Sequence, residues 1–317
     1  MINILITGGA GFVGSRLAEK LIEDKSNYVV IVDDLSTGDV NKLPDASLDN
    51  WRFVKGDVNK YKEISEVMLS MKFDFVFHYA ALVGVKRTQD HPVKVLEDID
   101  GIKHVLNLCK STGVKRVFFS SSSEVYGEPV ELPQHEETTP LNSRVPYAVV
   151  KNIGESFVRS YYKEFGLEYT IFRFFNTYGP KQSSDFVMSK FIKKALNNED
   201  ITLFGDGSQT RTFCYLDDNI DTCLKALREN LVVNDVMNVG GEVEVTIADL
   251  AKLIIKLTGS KSKIVHLPAL KEGDMVRRCP DISKMKKILK RDLLPVEQGI
   301  KVLLESDMFK KLNNLEN

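Results

Sequence analysis

Residues 2–22 read INILITGGAGFVGSRLAEKLI. Ile2, Ile4, Leu5 and Ile6 form a short apolar run, which predicts a buried β-strand. Gly8, Gly9, Gly11 and Gly14 follow, and then Leu17, Leu21 and Ile22 at helical spacing. Strand, glycine turn and helix in that order suit a pyrophosphate. Glycine allows the tight turn and a close backbone approach, and the helix N-terminus favours the anion. The glycines satisfy both G-x-x-G-x-x-G and the overlapping G-x-G-x-x-G. A second strand, Tyr28 to Val32, ends in Asp33, nineteen residues after Gly14. An acid there accepts hydrogen bonds from the adenosine ribose hydroxyls and repels a 2′-phosphate, so the expected dinucleotide is NAD rather than NADP.

Outward from this unit, strand-like and helix-like segments alternate. A polar loop, Ser36 to Asn50, leads to a third strand, Trp51 to Lys55, that ends at Gly56-Asp57-Val58. A helix around Tyr61 to Met71 precedes a fourth strand expected over Phe73 to His78. The next helix, about Pro92 to Thr112, has Val95, Leu96, Ile99, Ile102, Leu106 and Cys109 for its apolar face. A fifth strand is expected over Arg116 to Phe119, followed by the serine run Ser120 to Ser123, and a sixth over Tyr169 to Phe174. The pattern predicts an α/β, Rossmann-type doubly wound parallel sheet, with ligands beyond the carboxyl ends of its strands. Asp33, Asp57, Ala80-Ala81 and the serine run all fall at those ends. Residues 1–175 are therefore expected to form the NAD-binding domain. Residues 176–317, where the alternation loosens, would form a smaller mixed α/β substrate-binding region with interleaved segments. The proline- and acid-rich stretch Gly127 to Pro146 reads as a substrate-facing loop.

Tyr147 and Lys151, in PYAVVK, lie four apart and share one helix face. An ammonium there can lower the phenol's pKa, so that the tyrosine accepts a proton near neutral pH. With 317 residues the chain can bury a large core, and its formal charge of -1 argues against a nucleic-acid binder. No apolar run reaches transmembrane length, and no signal-peptide pattern opens the chain. Cys109, Cys214, Cys223 and Cys279 lack metal or disulfide spacing, which leads us to expect no metal and a cytoplasmic location.

Taken together, TGGAGFVGS, VDDLSTG, KGDV, HYAAL, SSSSEVYGEP, PYAVVK, RFFNTYGP, GDGSQTRTFCYLDD and RRCPDISK resemble the extended short-chain dehydrogenase/reductases that act on nucleotide sugars. The likeness spans nearly the full chain. It implies a tightly held NAD contacted by Gly8, Gly11, Phe12, Val13, Gly14 and Asp33. Asp57 and Val58 would lie near the adenine, and Ala80 and Ala81 near the nicotinamide ribose. It also implies that Lys151 holds the ribose while Tyr147 removes a proton from the sugar 4-hydroxyl. One of Ser121, Ser122 or Ser123 would bond the same oxygen, and the family match favours Ser122. On the substrate side the resemblance points to Asn176 and Arg211 for the diphosphate, with Lys86 and Arg87 as candidates near the hexose. His78 reads as a packed histidine. The implied partner is a nucleotide sugar, UDP-linked on family grounds. A homodimer is also implied, built on the helices near Val95 to Cys109 and Ala148 to Tyr161.

Several reactions can follow C4 oxidation. Family dehydratases present Asp-Glu before VYG, and here the pair is Ser123-Glu124, so the acid for water loss is missing. Uronate decarboxylases share SEVYG and use an arginine in a segment like RRCPDISK, which Arg278 matches best, with Arg277 as the alternative. The leading expectation is thus a UDP-glucuronate decarboxylase-like enzyme. The alternative is a 4-epimerase, which PYAVVKN resembles more closely. A non-catalytic dinucleotide-binding regulator is a further alternative, against which Tyr147, Lys151, the serine run and Arg211 all argue.

Overall fold

The computed structural model describes residues 1–268 and 277–313, except the side chains of 85, 86 and 311–313. In chain order the elements begin with β1 (Ile2–Thr7), α1 (Phe12–Ile22), β2 (Asn27–Asp33), β3 (Trp51–Lys55), α2 (Tyr61–Ser70) and β4 (Phe75–His78). Next come α3 (Val85–Asp90), α4 (Pro92–Thr112), β5 (Arg116–Ser122), α5 (Pro146–Phe165) and β6 (Glu168–Phe174). They continue with β7 (Thr177–Tyr178), α6 (Val187–Leu196), β8 (Ile201–Phe204), β9 (Thr210–Thr212), β10 (Cys214–Tyr215), α7 (Leu216–Arg228) and β11 (Asp235–Val239). The last are β12 (Glu244–Thr246), α8 (Ile247–Thr258), β13 (Ile264–Leu267), β14 (Arg277–Arg278), α9 (Ser283–Leu289), α10 (Val296–Glu305) and α11 (Asp307–Asn313). Among the described residues no helix is long and apolar enough to cross a membrane.

The chain divides into two compact units. The first comprises Met1–Gly127, Leu141–Phe174 and Ile220–Met237. Its seven-stranded sheet has the order β11-β6-β5-β4-β1-β2-β3, and the pairs β1–β2, β1–β4, β2–β3, β4–β5 and β5–β6 are parallel. β2 explains the layering. Val29, Val30, Ile31 and Val32 are all fully buried, as a continuous β-branched run must be when helices cover both sheet faces. Strand order reverses at β1 and β4, the switch point where such sheets leave a crevice. Leu5, Val30, Phe73, Val76, Val105 and Ile171 lie in one apolar core with Val150 and Val158 of α5.

Three expectations change here. β5 runs on through Ser122, so most of the serine run is strand. β4 begins at Phe75, because Phe73 precedes the strand as a fully buried core residue. The sheet also gains a seventh strand, β11, from within the region where the sequence alternation loosened. It pairs at the edge of β6, with Asn234 N bonding Tyr169 O.

The second unit comprises Glu128–Pro140, Phe175–Asn219 and Asn238–Asn317. It carries small sheets, β12-β9-β14, β13-β8 and β10-β7, around a core that includes Tyr178, Phe191, Ile192, Phe213, Leu250, Ile254 and Leu303. Glu128–Pro140 of the proline-rich segment belongs to it, while Leu141 to Pro146 stay with the first unit: Gln134 N bonds Cys279 O at 2.7 Å, and Glu136 accepts from Asn238 N at 2.8 Å.

Candidate active site

The first unit gathers the expected cofactor residues at the switch point. Gly8 follows β1 with φ +71°, and a Cβ there would lie 2.6 Å from Ala80 N, so the loops after β1 and β4 can meet only at glycine. Ala80 N also bonds the Thr7 hydroxyl at 3.3 Å. Gly14 packs its α-carbon against the carbonyl of Gly8, where a Cβ would come within 2.5 Å. Gly11, Phe12 and Val13 open α1 and stay partly exposed. No side chain caps this helix, and its first turn holds no acid. Its leading N–H groups are therefore available to an anion, with the helix dipole behind them.

Asp33 ends β2 and is 7% exposed. One carboxylate oxygen accepts from Ala10 N at 3.0 Å, the other from Leu35 N at 2.9 Å. Burial pushes its carboxyl up, against these two bonds. Each oxygen has a second lone pair for a ribose hydroxyl. Asp57 lines a cleft of about 460 Å³ with Asp34, Lys55, Gly56, Lys60 and Glu63, and Val58 is buried in the core. Asp57 receives Asn59 N at 2.9 Å, which shapes the turn into α2. The uncapped helix, the glycine contacts and the strand-end acid fit NAD.

The residues expected to do chemistry lie on β5, the 3₁₀ turn Ser123–Tyr126 and α5, which pack together. Lys151 is 4% exposed. Its Nζ lies 3.3 Å from Ser120 Oγ, 5.2 Å from the Phe119 ring centre and 5.8 Å from that of Tyr147. Burial pushes this ammonium down to about 8, while the Asp98 carboxylate pulls the other way. His78 is buried in β4 and bonds Thr7 through Nδ1 at 2.8 Å, and burial pushes it down to about 3. It is a packed histidine, as expected.

The serines take different partners on α5. Ser120 Oγ accepts from Lys151 Nζ at 3.3 Å, and Ser121 donates to Glu155 Oε1 at 2.6 Å. Ser122 accepts from Glu124 N at 3.2 Å, a bond that leaves its own hydroxyl proton uninvolved. Ser123 is buried at the start of the turn, and Glu124 is half-buried on it. Arg87 donates to Val83 O at 2.8 Å and lines a cleft of about 230 Å³ with Ser36, Leu82, His91 and Lys94. The side chain of Lys86 lies outside the described residues. Ala81 is partly buried beside Ala80.

The second unit carries the remaining candidates. Arg211 on β9 and Arg278 on β14 are register partners on adjacent parallel strands, each 8% exposed. Register partners project from the same sheet face, so two arginines start side by side there, and Arg211 Nη1 donates to Thr210 O at 2.8 Å. Arg277 sits one rung over and is held by Glu244 through a two-pronged bond of 2.5 and 2.9 Å, which keeps the Glu244 carboxyl down at about 2. Asn176 adopts φ +35° and donates to Thr212 O at 2.9 Å. Sequence reasoning missed Glu155 and Arg173, which form a fully buried ion pair in the first unit. The signal was there: Arg173 interrupts the apolar strand TIFRFF, and a charge in a buried strand needs a partner.

Residues 4–240 match the NAD dependent epimerase/dehydratase family. The UDP-N-acetyl-alpha-D-glucosaminuronate decarboxylase of Bacillus cytotoxicus is 34% identical, covering 98% of each chain. The UDP-glucose 4-epimerase of Thermotoga maritima, solved with UDP-glucose, superposes with a TM-score of 0.91 at 32% identity, covering 98% of this chain and 99% of that one. A Thermus thermophilus UDP-glucose 4-epimerase solved with NAD superposes with a TM-score of 0.88 at 26% identity, with coverage of 98% and 99%. With the glycine turn, Asp33 and the Tyr147–Lys151 helix in place, the chain belongs to the NAD-dependent epimerase/dehydratase family and is an NAD-dependent enzyme.

Proposed function

We propose that this enzyme oxidises C4 of a UDP-linked hexuronate and releases CO2 from the resulting 4-keto sugar, as a UDP-glucuronate decarboxylase-like enzyme. What supports this reading is the SEVYG pattern around Glu124 together with Arg278, which stands beside Arg211 on adjacent strands of the second unit. Glu124 sits on the turn that follows Ser122, and Arg278 is the register partner of Arg211, whereas Arg277 is bonded to Glu244.

Bound NAD supplies a hydride acceptor for C4 and, after the sugar has changed, a hydride donor. Tyr147 takes the proton of the 4-hydroxyl, with Ser122 bonding the same oxygen. Lys151, buried beside Tyr147, holds the ribose and keeps a positive charge next to the phenol. Once C4 is a ketone, the carboxylate is β to it. The C5–C6 bond breaks, its electron pair enters the enolate, CO2 leaves, and a proton is then delivered to C5. Glu124 is the group we assign to orienting this end of the sugar and handling the C5 proton. Arg211 and Asn176 hold the diphosphate, and Arg278, on the same face as Arg211, serves the anionic substrate.

The 4-epimerase reading keeps support from PYAVVKN and from the Thermotoga maritima likeness. The test is to incubate the purified protein with UDP-glucuronate, UDP-N-acetylglucosaminuronate, UDP-glucose and UDP-N-acetylglucosamine, with and without NAD, and read products by mass spectrometry and NMR. Loss of CO2 from a uronate supports decarboxylation. An unchanged mass with inverted C4 makes this an epimerase and overturns the role of Glu124. We also propose a homodimer through α4 and α5, on which Val93, Leu96, Tyr162 and Phe165 are exposed apolar residues.

A further inference from the structure

Tyr147, Lys151 and Ser122 can act together only if α5 lies at one setting against β5. Glu155 follows Lys151 by four residues on α5 and is 2% exposed. Its Oε1 accepts from Ser121 Oγ at 2.6 Å and Arg173 Nε at 2.8 Å, and its Oε2 accepts from Arg173 Nη2 at 2.6 Å. Ser121 and Arg173 are register partners on β5 and β6, so one carboxylate spans two strands. The remaining arm of Arg173 donates to Tyr126 OH at 2.8 Å, on the 3₁₀ turn that carries Glu124. Each bond thus lands close in sequence to a group used in the reaction: Ser121 beside Ser122, Tyr126 two residues after Glu124, Glu155 one turn after Lys151.

A buried ion pair is a poor device for stability alone, since apolar residues of similar volume often do as well or better. What a forked arginine adds is direction, because two parallel bonds fix a plane as well as a distance. The neighbouring Gly154 brings the helix so close to Phe119 that a Cβ would sit 2.2 Å from the ring tip. A helix pressed this tightly onto the strand transmits any tilt to the Lys151 end.

We infer that Glu155, Arg173, Ser121 and Tyr126 form a positioning clamp that fixes the Tyr147–Lys151 helix against the turn bearing Ser122 and Glu124. The catalytic part of this inference rests on the C4 chemistry proposed above. The clamp itself is tested without it.

The experiment compares wild type with the double variant Glu155→Met/Arg173→Met, which keeps the buried volume filled. Three readouts are taken: the thermal midpoint, kcat and KM, and the pH dependence of Lys151 acetylation followed by mass spectrometry. The expected result is a folded protein whose kcat falls by about a hundredfold, the scale of a 1 Å misplacement, with KM changed by less than about threefold. The half-reaction pH of Lys151 should move up toward that of the exposed lysines. The acetylation readout needs no substrate, so it decides the clamp even where wild type turns over none of the four sugars. A folded double variant with kcat within about twofold of wild type, or with a superimposable Lys151 curve, overturns the inference. If the double variant does not fold, Tyr126→Phe and Ser121→Ala each remove a single bond. Lower kcat or a shifted Lys151 curve in either supports the clamp, and no change in both overturns it.

Discussion

Replacing Lys151 by methionine should make the protein more stable at neutral pH, and the gain should disappear as the pH rises. Lys151 is 4% exposed, and burial holds its ammonium at about 8, against 10.5 for an ordinary lysine. The folded state therefore binds this proton more weakly than the unfolded chain does. Stability then rises with pH wherever the unfolded state holds more protons, which here is the window from about pH 8 to 10.5. The gap of about 2.5 units, at ~1.4 kcal/mol each, gives a charge penalty of about 3 kcal/mol, fully present below pH 8 and gone above 10.5. Methionine also loses the bond to Ser120 and the contact with the Phe119 ring, together worth about 1–2 kcal/mol the other way. The net gain at pH 7 is then on the order of 1–2 kcal/mol. The slope is the cleaner observable, because the lost contacts are offset equally at every pH. Urea unfolding of both proteins at pH 7, 8, 9 and 10, without added dinucleotide, measures it. Wild type should close on the variant at up to ~1.4 kcal/mol per pH unit. Two stability–pH curves that run parallel from pH 7 to 10 would refute the assignment of Lys151 as a buried, depressed ammonium.

The same titration should appear in turnover. If the ammonium is the working form, kcat/KM, which reports the free enzyme, should decline above about pH 8, and a profile flat to pH 10 would exclude Lys151 as the responsible group. Gly154→Ala forces a methyl group against the Phe119 ring, where 2.2 Å is available, and should cost about 1–3 kcal/mol in denaturant unfolding while lowering kcat. Gly8→Ala combines a left-handed φ of +71° with a 2.6 Å clash against Ala80 N. It should weaken NAD binding by at least about tenfold in a fluorescence titration, and unaltered affinity would contradict the cradle at the switch point.

Much of the first unit was legible in the chain because its signals are local. Gly8, Gly11 and Gly14 are spaced by the turn they make, and β2 announces its burial as an unbroken Val/Ile run ending in Asp33. Alternation of strand and helix leaves few topologies once right-handed crossovers are imposed. Those patterns sufficed for six of the sheet's seven strands, the dinucleotide and the family. The Tyr147–Lys151 pair was equally visible, since four residues on a helix bring two side chains to one face.

What only the tertiary structure decided are relations between residues far apart in sequence. Four consecutive serines look alike as letters, and it took the packing of α5 on β5 to bring Ser120 to Lys151 and Ser121 to Glu155. Arg173 paired with Glu155 and Arg278 set beside Arg211 arise from strand register and helix docking. β11 joined the sheet because an edge of β6 needed hydrogen bonds, which no periodicity near Asp235 announces. Local spacing writes the elements and the nucleotide fingerprint into the sequence. Which charges meet once apolar surfaces close, and hence how the buried groups are protonated and aimed, is set by packing alone.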